Sequence, residues 1–180
     1  MRIVIAGGSG FLGTALAHSW RGVGVSVQVL TRRARGPHDV AWDPADPGGA
    51  WTKALESADA VVNLAGDPLE RGRWTAERKA SILASRVVST RTLATAIAGC
   101  ARPPRVFVSG SAIGIYGPRG PEPLTESSPP GTDFLASVCT QWEAAASPAR
   151  AVTRLVLLRT GLVLDRHRGA LPRMARSEER

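Results

Sequence analysis

The first thirteen residues run a short apolar strand, Arg2-Ile-Val-Ile-Ala6, straight into a turn with glycine at Gly7, Gly10 and Gly13. That spacing suits a helix that starts hard against a strand with an anion at its tip. Gly7 permits the tight turn, Gly10 lets backbone approach a pyrophosphate, and Gly13 lets the next helix pack closely on the strand. The N–H groups at the helix start then face the phosphates with the positive end of the helix dipole, and Phe11 and Leu12, within the glycine turn, are expected cofactor contacts. Glycines alone are weak evidence. Between an N-terminal strand and a helix they become strong, the alternative being a structural turn that binds nothing.

The remaining text alternates strand-like apolar runs with helix-length segments, which predicts βαβ units and a parallel sheet. Strands are expected at residues 2–6, 25–30, 38–42, 60–64, 105–109 and 152–158. Helices are expected at 13–20, 75–97 and 134–146, the second closed by Gly99 and Pro103-Pro104, which cannot continue it. Residues 118–132, rich in proline and glycine, read as an irregular loop. The expected architecture is α/β: a three-layer Rossmann fold whose doubly wound parallel sheet has strand order 3-2-1-4-5-6, with the nucleotide at the carboxyl ends of strands one and four. Residues 1–164 form that nucleotide-binding domain, and 165–180 read as a basic, poorly ordered tail. Nothing after the sixth strand reads as a substrate-binding lobe.

Composition bounds the partners. A chain of 180 residues with 43% hydrophobic content can bury one proper core. No run approaches the roughly 18 apolar residues of a membrane span, and the opening strand leaves no room for a signal peptide, so a cytoplasmic protein is expected. Cys100 and Cys139 are far apart and lack metal-ligand spacing, which reads as reduced thiols. The net charge of +8 comes almost wholly from arginine, because lysine occurs only at Lys53 and Lys79. From Arg150 onward eight arginines face Asp165, Glu178 and Glu179. No aromatic pattern accompanies them, so no specific nucleic-acid partner is expected. The sequence is silent on oligomeric state.

The end of the second strand selects between dinucleotides. NAD-preferring folds place Asp or Glu there to bind the ribose 2′-hydroxyl. Here the position reads Thr31-Arg32-Arg33, and no acid follows until Asp39. A carboxylate repels a 2′-phosphate, whereas a guanidinium grips it with a charge-assisted fork. NADP is therefore the expected cofactor, with Arg32 the principal contact and Thr31 or Arg33 assisting. On the long helix, Ile82, Arg86, Thr90, Leu93 and Ile97 share one stripe that should face the sheet. A charge in that stripe is costly without a partner. Arg86 either snorkels along the helix edge or reaches a cofactor phosphate or ribose.

Gly7-Gly-Ser-Gly-Phe-Leu-Gly13, Leu30-Thr-Arg32, Trp42-Asp-Pro44 and Asn63-Leu-Ala-Gly66 together resemble an extended short-chain dehydrogenase/reductase. Arg73-Trp-Thr75, Lys79 with Ser85-Arg86, Ser109-Gly-Ser-Ala112 with Tyr116-Gly117, Asp133-Phe-Leu135 and Trp142-Glu-Ala-Ala145 narrow the match. From Met1 to about Met174 the chain is similar to the atypical subgroup called epimerase family proteins, related by fold to nucleotide-sugar epimerases. The resemblance implies an NADP-dependent oxidoreductase or epimerase-like enzyme of unknown small-molecule substrate. It implies cofactor contacts at Leu64 and Ala65, at Arg86, and more weakly at Ser81 and Val163. Asp43 touches the adenine edge or simply forms its turn. Ser111 is the expected catalytic serine.

In two respects the chain departs from the family pattern. The helix that should carry Tyr-x-x-x-Lys reads Phe134-Leu-Ala-Ser-Val138, so the lysine that assists the tyrosine in exchanging a proton is missing. Tyr116, the sole tyrosine, is the only phenol able to act. Family members also continue into a substrate-binding part. A poor reductase is thus expected, and a non-catalytic, redox-sensing NADP-binding module or an inactive truncated paralogue stand as alternatives.

Overall fold

The computed structural model describes residues 1–70, 72–166, 168–169, 171–172 and 174. Six parallel strands form one sheet: β1 (Arg2–Ala6), β2 (Ser26–Thr31), β3 (Asp39–Ala41), β4 (Ala60–Asn63), β5 (Val106–Ala112) and β6 (Arg154–Thr160). Their order is β3-β2-β1-β4-β5-β6, as the sequence predicts. Three α-helices cross between them: α1 (Phe11–Gly22), α2 (Ala76–Ala98) and α3 (Phe134–Ala145). This is a Rossmann-type sheet with helices on both faces. The order reverses between β1 and β4, which opens a crevice at their carboxyl ends.

The strands are apolar on both sides because both faces are covered. Val4, Ala6, Leu30, Val61 and Phe107 point one way, onto Leu93 and Ile97 of α2 and onto Trp42, Trp51 and Leu55. Ile3, Ile5, Val27 and Val62 point the other way, onto Ala17 of α1. The predicted stripe of α2 does face the core: Ile82, Thr90, Leu93 and Ile97 are fully buried. Thr90 is tolerated there because its hydroxyl oxygen accepts from Asn63 Nδ2 at 2.7 Å and from Trp142 Nε1 at 2.9 Å. Either donor left unpaired in the core would cost about 1–3 kcal/mol.

Three boundaries differ from expectation in ways that matter. Helix α1 starts at Phe11, so Phe11 and Leu12 belong to its first turn. Strand β5 continues past Ser109 to Ala112, and β6 lies two residues later than its apolar run suggests. The two shifts have one cause: Ser111 pairs with Arg159 and Ala112 with Thr160 in the parallel ladder, so polar residues extend both strands. Val152 instead caps a 3-10 turn, and Thr153 donates to the Pro104 carbonyl at 2.6 Å. The expected disorder of residues 165–180 falls largely outside the described residues. Among those described, no helix is long and apolar enough to cross a membrane.

Gly13 carries the strand–helix approach. A Cβ there would lie 2.4 Å from Gly7 O and 2.5 Å from Gly8 Cα, both rigid backbone. Gly13→Ala should therefore lower the unfolding free energy by roughly 1–3 kcal/mol in urea titrations. Gly22→Ala, with nothing within 4 Å, should leave it unchanged or raise it. Equal effects at the two sites would contradict the close approach.

Candidate functional site

Two turns meet at the crevice floor. Gly7 sits at φ 78°, and a Cβ on it would lie 2.6 Å from both C and O of Leu64. Only a glycine lets the first turn lie against the backbone that leaves β4. Asn63 shapes that second turn, since its Oδ1 accepts from Ala65 N at 3.1 Å while its Nδ2 is held by Thr90. Leu64 and Ala65 are thus presented by backbone beside the glycine turn.

Above that floor, α1 begins at Gly10 with no side-chain cap, so no side chain satisfies its first N–H groups. Thr14 Oγ1 donates instead to Gly10 O at 2.7 Å. Among the described residues, a Cβ on Gly10 would meet only Gly7 O, at 3.2 Å. A bare helix N-terminus behind an open glycine fits a phosphate group. The chain returns here at its far end. Leu164 and Gly169 form an antiparallel bridge, and a Cβ on Gly169 would lie 3.1 Å from the Phe11 ring and 3.3 Å from Val163 O. Val163 therefore lies near the first turn of α1.

Helix α2 braces the opposite wall. Asp67 forms a salt bridge with Arg78, and its Oδ2 also accepts from Ser81 Oγ at 2.9 Å. Asp67 N donates to Ser85 Oγ at 3.0 Å. The charge in the apolar stripe is resolved inward: Arg86 Nη1 donates to Asp67 O and Ile82 O, each at 3.0 Å. Its guanidinium lies 5.3 Å from the Trp142 ring centroid, and a Cβ on Gly66 would press it at 3.2 Å. Burial lowers the guanidinium pKa, with Asp67 among the charges that oppose the shift. Arg86 thus finds acceptors within the chain, and it flanks the turn that carries Leu64 and Ala65.

At the end of β2, Thr31 Oγ1 accepts from Arg33 N at 3.4 Å, and Arg32 is exposed with no hydrogen bond or ion pair among the described residues. The nearest downstream acid, Asp39, turns its Oδ2 to Arg35 N at 2.8 Å. Asp43 Oδ1 accepts from Ala45 N at 2.9 Å, the geometry of a turn-forming aspartate.

Ser111 and Tyr116, 5 residues apart in sequence, are joined by a pair that sequence reasoning did not single out. Arg159 grips Glu143 in a fork, Nε to Oε1 at 2.8 Å and Nη2 to Oε2 at 2.9 Å. Ser111 Oγ donates to the same Oε1 at 2.6 Å. Arg159 Nη1 donates to Tyr116 Oη at 2.9 Å and to Glu126 O at 3.0 Å. The guanidinium also lies 5.3 Å from the Tyr116 ring centroid. With Glu143 ionised, the Ser111 proton is engaged, so its oxygen can accept from a substrate hydroxyl rather than donate to a carbonyl. The signal was Arg159 itself, a charge at the end of an apolar strand, hidden among many arginines. At the start of α3, Phe134 is met edge-on by Trp74 and covered by Lys79, whose Nζ is 5.3 Å from its centroid. Both cysteines are free, and burial, aided by Glu56, pushes the Cys100 thiol up to about 11.

The sequence model of the NAD dependent epimerase/dehydratase family matches residues 3–175. The chain is 38% identical over 179 residues to the epimerase family protein SDR39U1 of Bos taurus, covering 97% of this chain and 58% of that protein. It is 37% identical to the epimerase family protein ML0860 of Mycobacterium leprae, covering 96% of this chain and 56% of that protein. Among solved structures, human epimerase family protein SDR39U1 (isoform 2) with NADPH superimposes with a TM-score of 0.84 at 35% identity, over 97% of this chain and 58% of that one. The nucleoside-diphosphate sugar epimerase of Corynebacterium glutamicum gives 0.85 at 35% identity, over 99% of this chain and 38% of that one. The chain thus spans a little over half the length of the curated relatives it matches.

Burial pushes the Glu143 carboxyl up, but the hydrogen bonds from Arg159 and Ser111 outweigh it and hold the group below its ordinary range. A carboxyl lowered in the folded state stabilises above the unfolded value, about pH 4.3, and that contribution fades as pH falls. Melting temperature should therefore drop below about pH 4.3, and the drop should be shallower in Glu143→Gln. Parallel pH profiles would mean that the pair is not formed in solution.

Proposed function

Because the chain belongs to the NAD dependent epimerase/dehydratase family, we propose that it binds NADP(H) in the crevice between β1 and β4 and acts as an oxidoreductase or epimerase-like protein on a small molecule. One observation carries the choice of NADP: Arg32 stands exposed and, among the described residues, unengaged at the end of β2, with the next acid, Asp39, turned onto Arg35. A 2′-phosphate there meets a free fork of donors and no competing carboxylate.

The residues fit the dinucleotide at each point. Gly7, Gly10 and Gly13, with the N–H groups of Phe11 and Leu12, hold the pyrophosphate. Thr31 and Arg32 hold the adenosine phosphate. Leu64 and Ala65 offer backbone to the nicotinamide ribose, while Ser81, Arg86 and Val163 line the flanks. When bound, the nicotinamide supplies or accepts a hydride. The chain's own task is then to bind and orient a substrate oxygen and to hold a proton near it. Ser111 orients a substrate hydroxyl through its acceptor lone pairs, and Tyr116 carries the proton.

A second reading, in which the chain holds NADP(H) without chemistry, is favoured by Phe134. Its ring, under Trp74 and Lys79, stands where the resemblance leads one to look for tyrosine.

Arg32→Asp should weaken NADPH binding by about 10- to 100-fold, the scale of one charge-assisted contact replaced by repulsion. NADH binding should change little. Calorimetric titrations with both cofactors check this, and equal losses would assign Arg32 to the fold. Gly10→Val should abolish binding of both by filling the open space beside Gly7 O.

A further inference from the structure

The acid–base role of Tyr116 lacks the lysine that should accompany it, and the structure supplies a different cation. We propose that Arg159 is the positioning residue of Tyr116, a fixed positive charge held by Glu143 that fills the role of a lysine one helical turn away. This rests on reading the crevice as a site of NADP(H) chemistry. Three observations meet here. Arg159 Nη1 donates to the Tyr116 hydroxyl oxygen at 2.9 Å, so the phenol receives a charge-assisted bond at the atom that would carry developing charge. The fork to Glu143 engages Nε and Nη2 and leaves Nη1 for the phenol, so the geometry is fixed rather than sampled. Arg159 reaches this place because β6 runs on to Thr160, opposite the extended end of β5.

The charged groups around Tyr116 come from three elements. Arg159 on β6 faces the hydroxyl, and Glu143 on α3 stands behind it. Arg119, in the following loop, donates through Nε to the Tyr116 carbonyl at 2.9 Å. Asp133 lies at the start of α3, 3.6 Å from where a Cβ on Gly117 would stand, and its Oδ1 accepts from Ala136 N. Among these, Arg159 is the one placed at the phenolic oxygen.

In a reduction, a hydride from NADPH adds to the carbonyl carbon. The C=O π pair becomes a lone pair on oxygen and takes the proton from the Tyr116 hydroxyl, giving the alcohol and a phenolate. The phenolate stays paired with the Arg159 guanidinium, which keeps its own protons, and water then returns a proton to the phenol. NADPH is oxidised and the carbonyl reduced. In the reverse direction the phenolate removes the alcohol proton as the hydride leaves. Arg159 never exchanges a proton. Its guanidinium stays at the phenolic oxygen throughout the transfer, and this gives the fold a route to proton transfer without Tyr-x-x-x-Lys.

Tyr116 is the only tyrosine in the chain, so phenolate absorbance in the near ultraviolet reports on it alone. The test uses the whole chain without cofactor, at about pH 10, where an ordinary phenol is partly ionised. Arg159→Met should reduce the phenolate signal several-fold, and Arg159→Lys should keep most of it. Because a lone buried Glu143 can unfold the first variant, the double variant Arg159→Met with Glu143→Gln repeats the test without a stranded carboxylate. It should show the same loss. Unchanged phenolate signal in the folded Met or double variant would overturn the proposal, whatever the cofactor result. Failure of the parent to bind NADPH by calorimetry would instead overturn the reading beneath it, and the titration would still judge the pair.

Discussion

The backbone of the first turn lies so close to the backbone leaving β4 that no side chain fits between them. A Cβ on Gly7 would be 2.6 Å from the Leu64 carbonyl, and one on Gly13 would be 2.4 Å from the Gly7 carbonyl. These approaches fix the distance between β1, α1 and the β4 exit. The bare N-terminus of α1 is thereby aimed across the crevice at the sheet's reversal point. The α1 wall of the crevice, and the place of Phe11 against the returning chain, follow from that closeness.

Two polar clusters hold the rest of the rim. Beneath the β4 exit, Thr90 gathers Asn63 from the sheet and Trp142 from α3, which ties β4, α2 and α3 to one buried hydroxyl. Beside β5 and β6, Glu143 and Arg159 gather Ser111 and Tyr116. The first cluster is neutral and well inside the protein, as suits a structural node. The second carries a full ion pair whose side chains are 11% and 21% exposed. An apolar pair often serves stability as well as such an ion pair does, so stability alone is weak grounds for its presence. Its contact with the phenol is the ground of the role proposed for it.

The sheet order was legible because the central strands β1 and β4 are covered on both faces and read as apolar runs between turn residues. The glycine turn was legible because its spacing answers a steric need. Where strands are extended by polar residues the reading failed: Ser111, Arg159 and Thr160 belong to the ladder through pairing between strands, which no local pattern reveals. For the same reason Arg159 went unnoticed and Glu143 was seen only as part of a family motif. Arg86 was correctly marked as a charge needing a partner. That the partners would be the Asp67 carbonyl and the Trp142 ring depended on how α2 and α3 pack. Asp43 shows the opposite case, where a local turn accounts for the residue.

The proposed dinucleotide site lies in the crevice between β1 and β4, with Arg32 on the β2 rim proposed to select the 2′-phosphate. Calorimetric titration of the unaltered chain with NADPH and with NADH tests it most directly. The account predicts one site, with NADPH bound at least about tenfold more tightly, a difference of about 1.4 kcal/mol. Equal affinity for the two, or tighter binding of NADH, would contradict it.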